Sequence, residues 1–386
     1  MTIAAPGMRA LVIRGGAGDG VRTAAIGVTS VHGIEVTCGF TTPAPPRFEP
    51  SGSSAHKVLV RVRGFSCNYR DRRRVLQMST IGPAAHFLVI GSEFAGEVVA
   101  VGDAVRTLAP GMRVLGDNHY PADHPPAGRV GVPSNRASAE YLVLREDQLC
   151  RVPTGMSDAE ASAFSIGAQT AYSMVRKMGA RRGQAVLVTA ARSNTSLFLI
   201  AALHAAGVRV VATTTAPGAT AALAAHGASR VVTLPAAPHD AEGLDALREE
   251  AAAHGGFAAV ADPFFDLHLC RLLPLLAPSG RYVTCGFHGQ HDALAAPTST
   301  VDYGVALQVA MLKNVAIIGN CAGVHADLTE ALADWEAGRL PVLLDRVLRT
   351  AREDSDPARA AVAAEFVSRS FDAPARLGKV VALYTD

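Results

Sequence analysis

The sequence has no CxxC pair, no uninterrupted apolar run of the ~18–20 residues a membrane span needs, one tryptophan, and almost no excess charge. Each absence removes a class of protein. The six cysteines, Cys38, Cys67, Cys150, Cys270, Cys285 and Cys321, are scattered, so neither a disulfide framework nor a four-cysteine zinc lobe is readable. Thirty-six basic residues against 34 acidic ones leave a net charge of +2, too little for a nucleic-acid footprint. The opening MTIAAPGMRALVIRGG has no basic segment leading into a long apolar one, so no secretory signal is expected. The expectation is a cytoplasmic protein whose partners are small molecules rather than nucleic acid or membrane.

What is present is apolar bulk. The 386 residues are 49% hydrophobic and 18% charged, enough for two domains of about 150–200 residues with substantial cores. Residues 8–150 are β-rich, with short β-branched runs at 8–13, 57–63 and 97–101. Residues 15–55, which contain PAPPRFEPSGSS, read as a loop-rich excursion, and PADHPPAGRVGVPSN marks a second loop within 117–136. Beyond Pro153 the pattern changes. Residues 157–178 read as one helix opened by the capping-box spelling SDAE, and apolar strands then alternate with helices to residue 285. Strands that are apolar throughout imply a parallel sheet covered on both faces.

The unit VLVTAARSNTSLFLIAALHAAGVRVVATTT has the layout of a dinucleotide-binding βαβ. Its three glycine positions hold Ala191, Ser193 and Ser196; with Arg192, Asn194 and Thr195 they form the candidate phosphate turn. Small residues still let a pyrophosphate approach the helix N-terminus. The motif alone fits an ordinary βαβ crossover equally well. The second strand ends in Thr213, Thr214 and Thr215, where an NAD site usually has an acid. Hydroxyls with Arg192 nearby suit a 2′-phosphate, so the expected cofactor is NADPH, the alternative being that Arg192 points to solvent.

The flanking segments then carry a resemblance. GSEFAGEVVAVGDAVRTLAPGMRVLG, SAEYLVLREDQLCRVPTGMSDAEASAFSIGAQTAYSMV, LLPLLAPSGRYVTCG, MLKNVAIIGN and ARLGKVVALY occur in the order found in medium-chain dehydrogenases/reductases, over about residues 8–384. The resemblance implies an α/β chain: a GroES-like β-rich catalytic domain at 1–154 plus 325–386, and a doubly wound Rossmann cofactor domain at 155–324. It also implies an active site in the cleft between them and a homodimer paired through the edge segment VAIIG.

The zinc members of that superfamily bind their catalytic metal with Cys, His and a later Cys; the matching positions here are Asn68, Ser92 and, approximately, Ile166. Those side chains offer neither thiolate nor imidazole, so no zinc is expected. Cys67, beside the first position, reads as a small core residue. GFSCNYRDRRRVLQMST resembles the N(F/Y)RD segment of polyketide enoyl reductases, which points to the quinone oxidoreductase and enoyl reductase branch. The tyrosine that branch carries eleven residues after the Asn is Ser79 here, and the quinone-reductase alternative five after it is Arg73. The proton donor is therefore open between water, Tyr69 and Tyr303.

The expected activity is NADPH-dependent reduction of an activated C=C bond or a quinone, with bacterial secondary metabolism a fitting setting. Carbonyl reduction on a natural-product intermediate, or a non-catalytic NADPH-binding relative, are the rival readings. Asn68 is the candidate to polarise the substrate carbonyl or hold the nicotinamide ribose, against a role as a backbone cap. Asp71 and Glu93 read as supporting acids. Thr170, read as opening its helix, and Gly286 are candidate cofactor contacts. The arginines from Arg61 to Arg74 are either a solvated face or a grip on a CoA- or carrier-bound substrate.

Overall fold

The computed structural model describes residues 3–4, 7–15, 25–82, 86–119, 135–235, 244–294 and 302–386. The chain divides into two compact units, Met1–Ile166 with Leu344–Asp386, and Gly167–Leu343.

In the first unit a seven-stranded sheet is built around the long strand Lys57–Ser66. Glu93–Val101 pairs antiparallel with one side of it, and Tyr141–Arg145 and Lys379–Tyr384 pair along the other. A four-stranded antiparallel sheet takes the order Ala25–Val31, Ile34–Thr41, Ala10–Arg14, Phe87–Val89. Two of those strands lie in the stretch read from the sequence as loop. Their turn is His32-Gly33, with φ of 52° and 77°, the two left-handed residues of a tight hairpin whose twist matches the strands. The dipeptide is the one local sign of this hairpin in the sequence. The helix Asp356–Phe371 packs on this hairpin, and a Cβ on Gly27 would stand 2.5 Å from the Ala360 carbonyl oxygen.

The chain's last segment belongs to this unit for a packing reason. Phe65 lies 5.2 Å from the Phe366 ring and 5.5 Å from the Tyr384 ring, and all three side chains are buried. Aromatic pairs of this geometry contribute about 0.5–1.5 kcal/mol beyond their burial.

In the second unit six strands are all parallel, in the order Arg230–Thr233, Arg209–Thr214, Ala185–Val188, Phe257–Asp262, Leu276–Thr284, Ala316–Gly319. Numbered along the chain this is 3-2-1-4-5-6, the doubly wound order whose reversal beside the first strand marks a ligand crevice. Val186, Leu187, Val188, Phe257 and Tyr282 are fully buried between its layers.

One sequence expectation needs correction here. The helix read over 157–178 is broken into Asp158–Ala161 and Ser165–Met178. Between them the Ser162 carbonyl accepts 2.7 Å from Ser66 Oγ, and the Ile166 N–H donates 2.7 Å to Glu93, so this stretch is tied into the first unit's sheet. The two compact units divide at 166/167 and 343/344. The helix His325–Glu336 joins the second unit because Asp327 and Asp334 bond Arg176 and Tyr172 there.

Candidate active site

In the first unit, three neighbouring strands end together. Ser66 pairs with Glu93 on one side and with Val381 on the other. Continuing the second register by two residues sets Lys379 opposite Asn68, which lies just past the strand end and at the N-cap of the helix Tyr69–Ile81. The Asn68 backbone N–H is taken by Asp71 at 2.8 Å, which leaves its side chain to turn elsewhere.

That side chain is held at every polar atom. Nδ2 donates to Ser92 Oγ at 3.1 Å and to Glu93 Oε2 at 3.2 Å, while Oδ1 accepts from Lys379 Nζ at 2.6 Å. An ammonium cannot accept, so the lysine fixes which end of the amide faces it. Ser92 Oγ in turn donates a short hydrogen bond to Asp71 Oδ2. Lys379 also pairs with Glu93 at 2.9 Å; their side chains are 6% and 0% exposed. The amide donors expected to reach a substrate carbonyl are therefore committed inside the network, and Asn68 acts as a fixed strut within it.

Burial dominates the electrostatics. It raises the Asp71 carboxyl above the usual range, against the hydrogen bonds from Ser92 and the Asn68 N–H and the charges of Arg70 and Lys379. Asp71 Oδ1 is buried without a hydrogen-bond partner, in keeping with that reluctance to ionise. Burial, reinforced by Asp71, pushes the Cys67 thiol well up, which makes it an inert core group, as read from the sequence. Ile166, the third position corresponding to a zinc ligand, contributes its backbone N–H to Glu93. Where the resemblance places metal ligands there is a closed hydrogen-bonded set with no thiolate or imidazole among those three residues.

Tyr69 follows Asn68, and the Arg72 guanidinium lies 3.8 Å from its ring centroid. Burial, with the neighbouring charge of Arg376, lowers Arg72 to about 9, so it remains a cation at neutral pH. The arginine run does not form an open grip. Arg61 bonds Asp386, Arg63 bonds Glu97 at 2.9 Å, and Arg70 and Arg74 bond the Asn135 side chain and backbone at 2.6 and 3.3 Å. Ser79 has a buried hydroxyl without a hydrogen-bond partner.

The second unit holds the remaining candidates. Ala190, at the strand end, takes φ 47°, the left-handed bend the turn requires even without glycine. Ala191 is buried. Ser193 caps the helix Asn194–Ala205, its Oγ accepting from the Ser196 N–H at 3.2 Å, and Ser196 Oγ donates to the Thr189 carbonyl at 2.9 Å. The serine substitutions thus close the turn on itself, with Thr195 in the helix's first turn. Arg192 Nη2 donates to Thr215 Oγ1 at 3.4 Å, which brings together the two residues singled out for a 2′-phosphate. Thr213 and Thr214 are buried at the end of the same strand. A guanidinium, a hydroxyl and no carboxylate at that strand end fit a phosphorylated dinucleotide.

Thr170 lies in the second turn of Ser165–Met178, buried, rather than opening it as expected. The Gly286 carbonyl accepts from Thr284 Oγ1 at 3.2 Å. Tyr303 begins the helix Tyr303–Lys313 and is 54% exposed, in the second unit, whereas Asn68 and Tyr69 are in the first. Lys379 was missed by sequence reasoning. Its only signal was a lysine opening the otherwise apolar strand KVVALY.

Known proteins share parts of this sequence and its fold. Residues 54–154 match the alcohol dehydrogenase GroES-like domain. The chain is 28% identical over 305 residues to acryloyl-coenzyme A reductase of Metallosphaera sedula, covering 75% of this chain and 85% of that one. It is 35% identical over 172 residues to erythronolide synthase EryA2 of Saccharopolyspora erythraea, which is 44% of this chain and 4% of that protein. A crystal structure of an NAD-dependent alcohol dehydrogenase shares the fold, with a TM-score of 0.71 at 23% identity, covering 94% of this chain and 99% of that one. Among the described residues no helix is long and apolar enough to cross a membrane. The chain carries an alcohol dehydrogenase GroES-like domain and is similar, over most of its length, to oxidoreductases of the medium-chain dehydrogenase/reductase superfamily.

Proposed function

We propose that the protein is an NADPH-dependent, zinc-independent reductase of an activated C=C bond, acting on an enone, an enoyl thioester or a quinone. The observation that carries this reading is the closed set of Asn68, Ser92, Glu93 and Lys379 where zinc-dependent relatives bind their metal. A hydrogen-bonded amide, hydroxyl and ion pair can hold and move a proton, but they do not supply the Lewis acid on which alcohol oxidation relies. NADPH, when bound, supplies the hydride. Arg192 and Thr215 are the residues that hold its 2′-phosphate. The names of two relatives, an acryloyl-coenzyme A reductase and an erythronolide synthase, support an acyl thioester substrate and a place in bacterial secondary metabolism.

We further assign a homodimer to the chain. Ala316–Gly319 ends the six-stranded sheet, and Leu307, Met311 and Leu312 on the preceding helix are 64%, 69% and 77% exposed. A bare strand edge beside an apolar helix is a surface that invites pairing.

The test is NADPH oxidation by purified protein against a panel of enones, enoyl thioesters, quinones and ketones, with zinc measured on the same sample. Turnover of the first three classes by zinc-free protein is expected. Turnover of ketones alone, or activity that rises with one bound zinc per chain, would contradict the reading.

A further inference from the structure

The tyrosine positions that family resemblance offers for proton delivery hold Ser79 and Arg73 in this chain. The structure supplies another group. Lys379 is buried at the start of the last strand, and its ammonium has three N–H bonds. One goes to Asn68 Oδ1 at 2.6 Å and one to Glu93 Oε2 at 2.9 Å; the third has no partner among the described residues.

The surrounding contacts make that arrangement rigid. Glu93 Oε2 also accepts from Ser66 Oγ at 3.1 Å and Asn68 Nδ2 at 3.2 Å, and its Oε1 accepts the Ile166 N–H at 2.7 Å. A carboxylate bonded at both oxygens, together with an amide locked by Ser92, leaves the ammonium two fixed anchors. The strand register sets the same geometry from the backbone side, since Val381 pairs with Ser66. The Lys379 side chain is 6% exposed.

We propose that Lys379 is the general acid of this site. The inference rests on the reductase reading above. Once hydride has reached the β-carbon, the C=C electron pair moves onto the conjugated carbonyl as an enolate. The enolate's pair then forms a C–H bond at the α-carbon with the Lys379 proton, and the electrons of the broken N–H bond stay on nitrogen. The neutral amine regains its proton from water. Asn68 and Glu93 are the positioning residues that hold the ammonium.

The experiment uses the full chain and whichever substrate of the panel it turns over. K379M should lower kcat by about 10²–10⁴-fold, the usual worth of a general acid, with the NADPH dissociation constant within about threefold of wild type. Because K379M leaves Glu93 buried without its counter-charge, the double variant E93Q/K379M removes both charges together and should fold while staying inactive. In K379A, added methylamine or ethylamine should restore turnover, faster for more acidic ammonium ions, whereas tetramethylammonium, which has the charge but no N–H, should not. A double variant within about fivefold of wild type, or equal rescue by tetramethylammonium, would show charge compensation alone and overturn the inference, since a general acid is worth at least tenfold more than that. If wild type turns over nothing in the panel, the reductase reading fails and takes this inference with it. An active wild type with an active double variant removes only the role of Lys379.

Discussion

Arg192 Nη2 lies 3.4 Å from Thr215 Oγ1, joining the phosphate turn after one strand to the end of the next. Under the reading proposed above, this pair takes the 2′-phosphate of NADPH. Burial lowers the Arg192 pKa somewhat, but a guanidinium remains charged.

Arg192→Ala should therefore weaken NADPH binding by roughly 10–100-fold and leave NADH nearly unchanged, the equivalent of one charge-assisted contact. Fluorescence titration of both nucleotides against both proteins checks this. Equal affinities in wild type would refute the cofactor assignment.

Ser79 and Asn68 should respond in opposite ways. The Ser79 hydroxyl is buried without a partner, so Ser79→Ala removes an unsatisfied group and should leave kcat/KM within about threefold and stability equal or slightly higher. Asn68→Ala opens three contacts at once, to Ser92, Glu93 and Lys379, and should lower kcat/KM by about 10²-fold through lost positioning. Steady-state kinetics with a thermal melt on each variant separates chemistry from folding.

The Arg176–Asp327 pair predicts a pH dependence. Burial pushes the Asp327 carboxyl up. The two 2.9 Å bonds from Arg176, the Val324 N–H and the charges of Arg176 and Lys177 together outweigh that and hold it below 3.8. A lowered acid stabilises the fold above its unfolded pKa, and that contribution is lost as pH falls through the folded value. Arg176→Met should cost about 1–3 kcal/mol at pH 7, less than for a fully enclosed pair because Arg176 is half exposed. The gap between the two proteins' urea midpoints should narrow from pH 7 to pH 3. A gap that is constant with pH would show that the pair carries no charge effect.

Ile317 tests the assembly. It is 41% exposed on the edge strand Ala316–Gly319, which among the described residues pairs only with Leu276–Thr284. Light scattering should give about twice the 40.0 kDa chain mass for wild type and the single mass for Ile317→Asp. A monomeric wild type would refute the dimer.

How much of this was legible in the sequence follows from which interactions are local. The parallel sheet was readable because each strand is apolar throughout, and the phosphate turn because its residues lie within one βαβ unit. Arg192 and Thr215, 23 residues apart, were paired in advance by the known spacing of that unit. Asn68 and Lys379 are 311 residues apart and meet only because the last strand returns to the first unit's sheet, a pairing no local pattern encodes. The break at 162–164 was not legible because its cause, Ser66 drawing in the Ser162 carbonyl, lies 96 residues away in sequence. The arginine run misled in the opposite sense. Its charges are adjacent in sequence, but Asp386, Glu97 and Asn135 disperse them in the fold.

The most direct test of the central claim is to follow the hydride. Wild-type protein is run with NADPH deuterated at the transferable C4 position and an enone from the panel, and the product is read by NMR. The account predicts one deuterium on the β-carbon, a solvent-derived hydrogen on the α-carbon and an intact carbonyl. Deuterium on the carbonyl carbon would identify a ketone reductase and contradict it.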